Sequence, residues 1–276
     1  MKKYGNAELE ALGKLGNLSG KVGQHLWSTL KPAMERDEFD FKDFETDDAV
    51  RKALRRGFLK SKSNCKLDLG LNIGKVSKQE LAGLSVWNLK HLYELFYQQV
   101  FGLYVSFPDE LMPEASNDFA WPACVPGIIS SEISFNGGKL NMPRWKWTDK
   151  ILDAVLKLDR GRDAWSHSFI VRVRPNWEAD DDLKNISGNN MEAKGVDVMM
   201  LRERLILGQF IFWLTSEHLD RQTVTLTGSR YSDGGVSSVD FHLRTGKVSI
   251  YSYHPDNANP NWRFRQVVSC SPEANK

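Results

Sequence analysis

The sequence lacks most of the features that reveal a protein's chemistry at once. Three cysteines occur in 276 residues, Cys65, Cys124 and Cys270, and no two form a Cys-x-x-Cys pair. An odd count at wide spacing argues against a disulfide framework and against a zinc knuckle, and it fits a reducing compartment. Neither sign of charge dominates: 37 Lys and Arg against 35 Asp and Glu leave a net charge of +2. A balance so near zero permits a nucleic-acid partner without demanding one. No apolar run is long enough for a bilayer, which takes about 20 residues. The longest, Leu205–Leu214, is interrupted by Gly208 and Gln209. Met1–Gly13 holds a Lys pair but no apolar stretch of the signal-peptide kind. These absences together lead us to expect a cytoplasmic protein with no membrane partner. A phosphate loop is missing too. In Gly16-Asn-Leu-Ser-Gly20-Lys21 the glycines stand one residue too close, and Val22 fills the place of the magnesium-binding Ser or Thr.

What is present describes a folded chain. Hydrophobic residues make up 41% and charged residues 26%, with nine Trp and fourteen Phe to fill a core. The first hundred residues read as a helical extension, residues 1–100, followed by an α/β domain, residues 101–276. Within the extension, the glycine-rich start allows a short helix near Ala7–Leu15. Asp47 can cap a helix running to about Leu59, with acids at its start and bases at its end as the helix dipole prefers. The clearest helix there spans 78–101, where Leu81, Leu84, Leu89, Leu92, Leu95 and Phe96 recur at helical spacing.

From Leu103 the texture changes. Short β-branched or alternating runs predict strands at Leu103–Phe107, Ile128–Phe135, His167–Val173, Thr223–Thr227 and Lys247–Tyr253. Helices are predicted at Trp147–Leu158 and Val196–Leu214. Strands that alternate with helices imply a mainly parallel sheet with crossover helices, and such sheets place their sites at the carboxyl ends of the strands. Residues 234–246 read either as a helix or as part of a hairpin turning at Asp233-Gly-Gly235.

One set of short motifs carries chemistry. Lys194-Gly-Val-Asp-Val198 precedes the long helix, and Glu203 lies one and a half turns on. Thr227-Gly228 ends a strand with Asp233 close behind, and Gly246-Lys247-Val248 opens another. In this order, over about residues 100–255, the chain resembles the NYN group of PIN-like nucleases. The resemblance implies a Rossmann-like PIN sheet and a metal-dependent nuclease, RNA being the favoured substrate. Asp197, Asp233 and Asp109 would hold Mg2+ or Mn2+, and Glu203 would complete the catalytic cluster. Hard divalent ions take carboxylate oxygens, and they neutralise the phosphate and activate water. Lys194, Arg230, Arg263 and Arg265 would meet the substrate. The N-terminal extension would serve a protein partner.

The same residues allow a plainer account. Asp197 is suited to cap the helix, Glu203 to pair with a neighbouring arginine, and Asp233 to make a turn. Ser229 stands where the family carries an Asp after its Gly, and the expected Asp-Gly-x-Asn turn after the first strand is missing. The alternative is therefore a non-catalytic nucleic-acid or protein interaction module with an eroded site. Two basic-aromatic clusters suit such a module: Arg144-Trp-Lys-Trp147 and Trp262-Arg-Phe-Arg265. Rings stack bases while cations meet phosphates. Arg162-Asp-Ala-Trp-Ser-His167 has the spacing of the HEPN ribonuclease signature, but a β-branched strand follows it where that signature needs one helix.

Overall fold

The computed structural model describes residues 71–158, 161–164 and 167–270. They fall in one compact unit, Leu69–Lys276. The helices expected near Ala7–Leu15 and from Asp47 to Leu59 lie outside the described residues.

The described chain opens on two capped helices. Ser77 starts α1 (Lys78–Ala82): its hydroxyl accepts from the Glu80 amide at 3.2 Å, and the Glu80 carboxylate accepts from the Ser77 amide at 2.8 Å. This reciprocal cap satisfies two otherwise orphaned donors. Ser85 caps α2 (Val86–Phe96), which runs into a single π turn, Tyr97–Phe101, and stops at Gly102 with φ 70°. The chain continues through β1 (Trp121–Val125), α3 (Ser131–Asn136), β2 (Arg144–Lys146), α4 (Leu152–Val155) and β3 (Phe169–Val173). It ends with α5 (Gly188–Ala193), α6 (Leu201–Thr215), β4 (Val224–Arg230), β5 (Val236–His242), β6 (Lys247–Tyr253), β7 (Trp262–Arg263) and β8 (Val267–Ser269).

Two sheets result. One has the order β1-β3-β8 and is antiparallel throughout; the other has the order β2-β6-β5-β4-β7. Helix α6 lies between them. Ile206, Leu207, Phe210, Ile211 and Leu214 join the core shared with β1, β3 and α2, while Leu201 and Leu205 join the core under Val239, Val248 and Ile250. A helix apolar on all sides must be buried on all sides. Tyr93 of α2 stacks on Phe210 with ring centroids 3.7 Å apart. Helix α2 is thus part of the same core as the strands.

The mainly parallel sheet expected from the sequence is not what forms. β4, β5 and β6 are a meander of antiparallel hairpins, and only the edge pairs β2–β6 and β4–β7 are parallel. The turns decide this. Gly234 (φ 90°) sits between β4 and β5, and Gly246 (φ 63°) between β5 and β6. Connections that short can only reverse a strand, because a parallel pair needs a crossover of a dozen residues or more. Residues 234–246 are therefore strand and turn, not helix.

Other elements differ from expectation too, among them the helix expected over 78–101, which Gly83 and the Ser85 cap split into α1 and α2. Ile128–Phe135 is not a strand; α3 begins within it. The Ser130 hydroxyl accepts from the Ile133 amide, and the Asp153 carboxylate accepts from the amides of Ser131 and Glu132, each at 2.9 Å. Trp147–Leu158 yields only the single turn α4, whose Leu152 amide donates to Glu132 at 2.8 Å. The two short helices thus cap each other. The long helix starts at Leu201 rather than Val196, and Leu103–Phe107 joins neither sheet.

Candidate nucleic-acid interface

The acids expected to gather do not gather as a metal site. Asp109 lies on a turn, Asp109–Leu111, and pairs with Lys90, whose ammonium holds the carboxyl below its usual range. Asp233 accepts the Gly235 amide at 2.9 Å within the hairpin turn. Asp197 and Glu203 do meet, but they meet on Arg162. Both Asp197 carboxylate oxygens lie 2.7 Å from Arg162 Nη1, and Glu203 accepts from Arg162 Nε and Nη2. Glu203 is fully buried and also takes the Met200 amide at 2.8 Å. Asp197 stands before the helix and does not cap it. The free amides at the start of α6 go instead to Glu203 and to the Ser229 hydroxyl, which accepts from Leu201 at 2.9 Å. Among the described residues no group of three or more His, Cys, Asp or Glu is placed to hold a metal ion. The residues expected to bind Mg2+ or Mn2+ do not fit that role as they stand.

A further acid sits beside this cluster. Asp163 is buried next to Glu203 and Arg162, and burial first, then the Glu203 charge, pushes its carboxyl up to about 6 against a pull downward from Ser229. Its Oδ2 has no hydrogen-bond partner.

The four basic residues expected at the substrate also separate. Lys194 is exposed at the end of α5. Arg230 is buried and pairs with Glu192 at 3.0 Å. Arg265 is buried and pairs with Asp220 at 2.7 Å; Asp220 is shared with Arg204. Arg263 donates to the Ala179 carbonyl and pairs with Asp181. Arg265 cannot reach a ligand from the core, and Arg230 and Arg263 are already engaged. Glu192, Asp197, Gly228 and Arg230 nonetheless line one cleft of about 290 Å³, floored by Met191, Met200 and Phe264. The motif stretches around Lys194 and Gly228 thus converge in space.

A second feature joins the two basic-aromatic clusters. Trp145 on β2 and Trp262 on β7 stand at opposite edges of the five-stranded sheet. Between them Tyr251 and Tyr253, two residues apart on β6, point to the same face. The ring centroids run Trp145–Tyr251 at 4.9 Å, Tyr251–Tyr253 at 6.0 Å and Tyr253–Trp262 at 4.2 Å. Trp145 is 41% exposed, and the other three are partly exposed. The register puts Ser238 opposite Tyr251 and Asp240 opposite Ser249, on the face that carries the rings. Ser238 Oγ and Asp240 Oδ1 are buried there without a hydrogen-bond partner, and burial raises the Asp240 carboxyl. Lys247, opposite His242, brings an exposed ammonium to the same face. The cations beside Trp145 contribute less than their sequence suggests: Lys146 reaches Glu132 at 2.7 Å, and Arg144 donates to the Leu140 carbonyl. Trp147 packs edge-on against Tyr231.

Sequence reasoning missed Tyr251 and Tyr253, although aromatics at i and i+2 in a strand are a visible sign of one ringed face. It also missed Arg162 as the partner of Asp197 and Glu203, for which no local signal exists. No helix among the described residues is long and apolar enough to cross a membrane. No family model, curated protein or solved structure matches this chain, so its likeness to NYN-type PIN-like nucleases rests on the motifs alone.

Proposed function

We propose that this chain is a non-catalytic module that binds single-stranded nucleic acid, RNA in the first instance, on the ringed face of its five-stranded sheet. One observation carries the reading: the continuous series Trp145, Tyr251, Tyr253 and Trp262 across the sheet, each at least partly exposed, with Tyr253 and Trp262 seated on a buried cluster that includes Leu226, Val236 and Phe264. Every base has a π-face, so a row of rings holds a strand with little regard to sequence. The preference for RNA comes from the family resemblance. The alternative role of a Mg2+- or Mn2+-dependent ribonuclease needs several carboxylates around one point, and here Asp197 and Glu203 neutralise an arginine while Asp109 and Asp233 serve elsewhere. Any protein partner would fall to residues 1–70, since α1 and α2 pack into the described core.

The test is fluorescence anisotropy with labelled single-stranded RNA and DNA, with Mn2+ present and absent. Stacking of one base is worth about 1–3 kcal/mol by alanine substitution, so Trp145→Ala and Tyr251→Ala should each weaken binding about 5- to 150-fold. Both side chains are partly exposed, so the fold should survive. Unchanged affinity in both variants would remove the ringed face from consideration. Metal-dependent cleavage by the wild type would restore the nuclease reading.

A further inference from the structure

The middle of the ringed face holds a polar pair that the fold leaves unused. Asp240 and Ser238 lie two residues apart on β5, so both project to the side that carries the rings. Asp240 Oδ1 and Ser238 Oγ are buried and have no hydrogen-bond partner among the described residues. Buried polar groups are nearly always paired, so two unpaired ones on one candidate surface call for a reason. Burial, the largest influence, raises the Asp240 carboxyl against the pull of His242 and Arg204. Its charge is felt in turn by Tyr253, whose hydroxyl is raised first by burial and then by Asp240. The pair differ in reach: Ser238 is fully buried, whereas Asp240 keeps part of its surface exposed.

The register places Asp240 among the rings. Trp145 is the partner of Ser249, and Ser249 is the partner of Asp240, so the three form one row across β2, β6 and β5. Two strand spacings, about 10 Å, separate the Trp145 and Asp240 backbones. A base stacked on Trp145 or Tyr251 therefore brings its edge over β5. A carboxylate in this place repels phosphates, but it is a pure acceptor for the N–H groups of bases, and base contacts are what specify sequence. We propose that Asp240 reads guanine: its carboxylate accepts from N1–H and the 2-amino group of a base held on the ringed face. Guanine alone sets two donors side by side on its Watson–Crick edge. Cytosine and adenine set a ring-nitrogen acceptor beside their amino group, and uracil flanks N3–H with two carbonyl oxygens. Oδ1 is closed to water as the chain stands, so the base reaches it by displacing a neighbouring side chain, and stacking offsets that movement. The inference rests on strand binding by the ringed face.

Three labelled RNAs test this against the purified full chain by fluorescence anisotropy. One is a short all-uridine strand, the second carries one central guanosine, and the third carries inosine there, which keeps N1–H but lacks the 2-amino group. A bidentate pair discriminates bases about 5- to 150-fold, so the guanosine strand should bind more tightly than the uridine strand by that factor, with the inosine strand between them. Asp240→Asn has one acceptor oxygen in place of two and should erase the preference. Trp145→Ala should weaken all three strands and keep their order. Ring-dependent binding with equal affinity for guanosine and uridine strands overturns the proposal and leaves the ringed face standing. A preference that survives Asp240→Asn has the same force. Binding to no strand, or binding that ignores both Trp145→Ala and Tyr251→Ala, removes the ringed face and this proposal with it. Should Asp240→Asn not fold, the wild type still decides, because an inosine strand that binds as tightly as the guanosine strand overturns the proposal.

Discussion

His218 lies between two aromatic rings, 4.5 Å from Phe212 and 3.8 Å from Phe241 by centroid. Burial first, and then Arg204, Arg221 and Arg144, push its imidazole down to about 4 from 6.5. The folded protein therefore refuses a proton that the unfolded chain accepts, and His218 costs stability as pH falls from 6.5 toward 4. Asp163 works in the opposite direction. Folded, it holds its proton to about pH 6, whereas the unfolded carboxyl releases it near 3.8, so stability is lost as pH rises across that window. The two slopes oppose each other in the same range. Substituting His218→Asn should remove the acid-side loss and leave the Asp163 slope exposed, as urea midpoints at half-unit pH steps would record. A His218→Asn profile with the wild-type acid slope would refute this assignment. Neither residue stands out in the sequence, because both shifts come from neighbours brought in by folding.

At the scale of elements, local signals were legible where a strand or helix could be completed by its own neighbours. The apolar run of α6, the β-branched runs of β3, β4 and β6, and the Gly-bearing turn at Asp233-Gly-Gly235 all appear where the pattern puts them, though α6 begins later than its period suggests. The signals failed where distant side chains did the work. In α3 the alternation of Ile128–Phe135 reads as a strand, yet Ser130 and Asp153 satisfy its first amides, and no pattern announces that Asp153 will arrive from α4. The clamp on Arg162 has the same cause, since its acids lie 35 and 41 residues on. The reciprocal caps make α3 and α4 a unit. Ser130→Ala and Asp153→Ala should each cost about 1 kcal/mol, the usual worth of an N-cap. Because the two act on one helix start, the double variant should cost less or more than the sum. Chemical denaturation of the three variants measures this; a strictly additive result would mean that the caps are independent.

For the molecule as a whole, the charge count sets what kind of binder it is. With a net charge of +2, and with Arg230, Arg263 and Arg265 all paired with carboxylates, the arginines expected at the substrate are not free for phosphates. Binding held mainly by rings should therefore depend weakly on salt. Each phosphate contact contributes about −0.7 to the slope of log K against log salt for a single strand, so a slope shallower than about −2 is expected. A steep slope would mean that an unrecognised basic surface, not the ringed face, dominates.

The position of α6 has a consequence for the way this fold comes apart. Nearly every residue of that helix is covered, by one sheet on one side and by the other sheet opposite. It is a shared wall: neither half of the molecule can let go of it and keep its own interior dry. The two sheets, though they exchange no strands, are obliged to melt in a single event, and the ringed face and the arginine clamp must be gained and lost together.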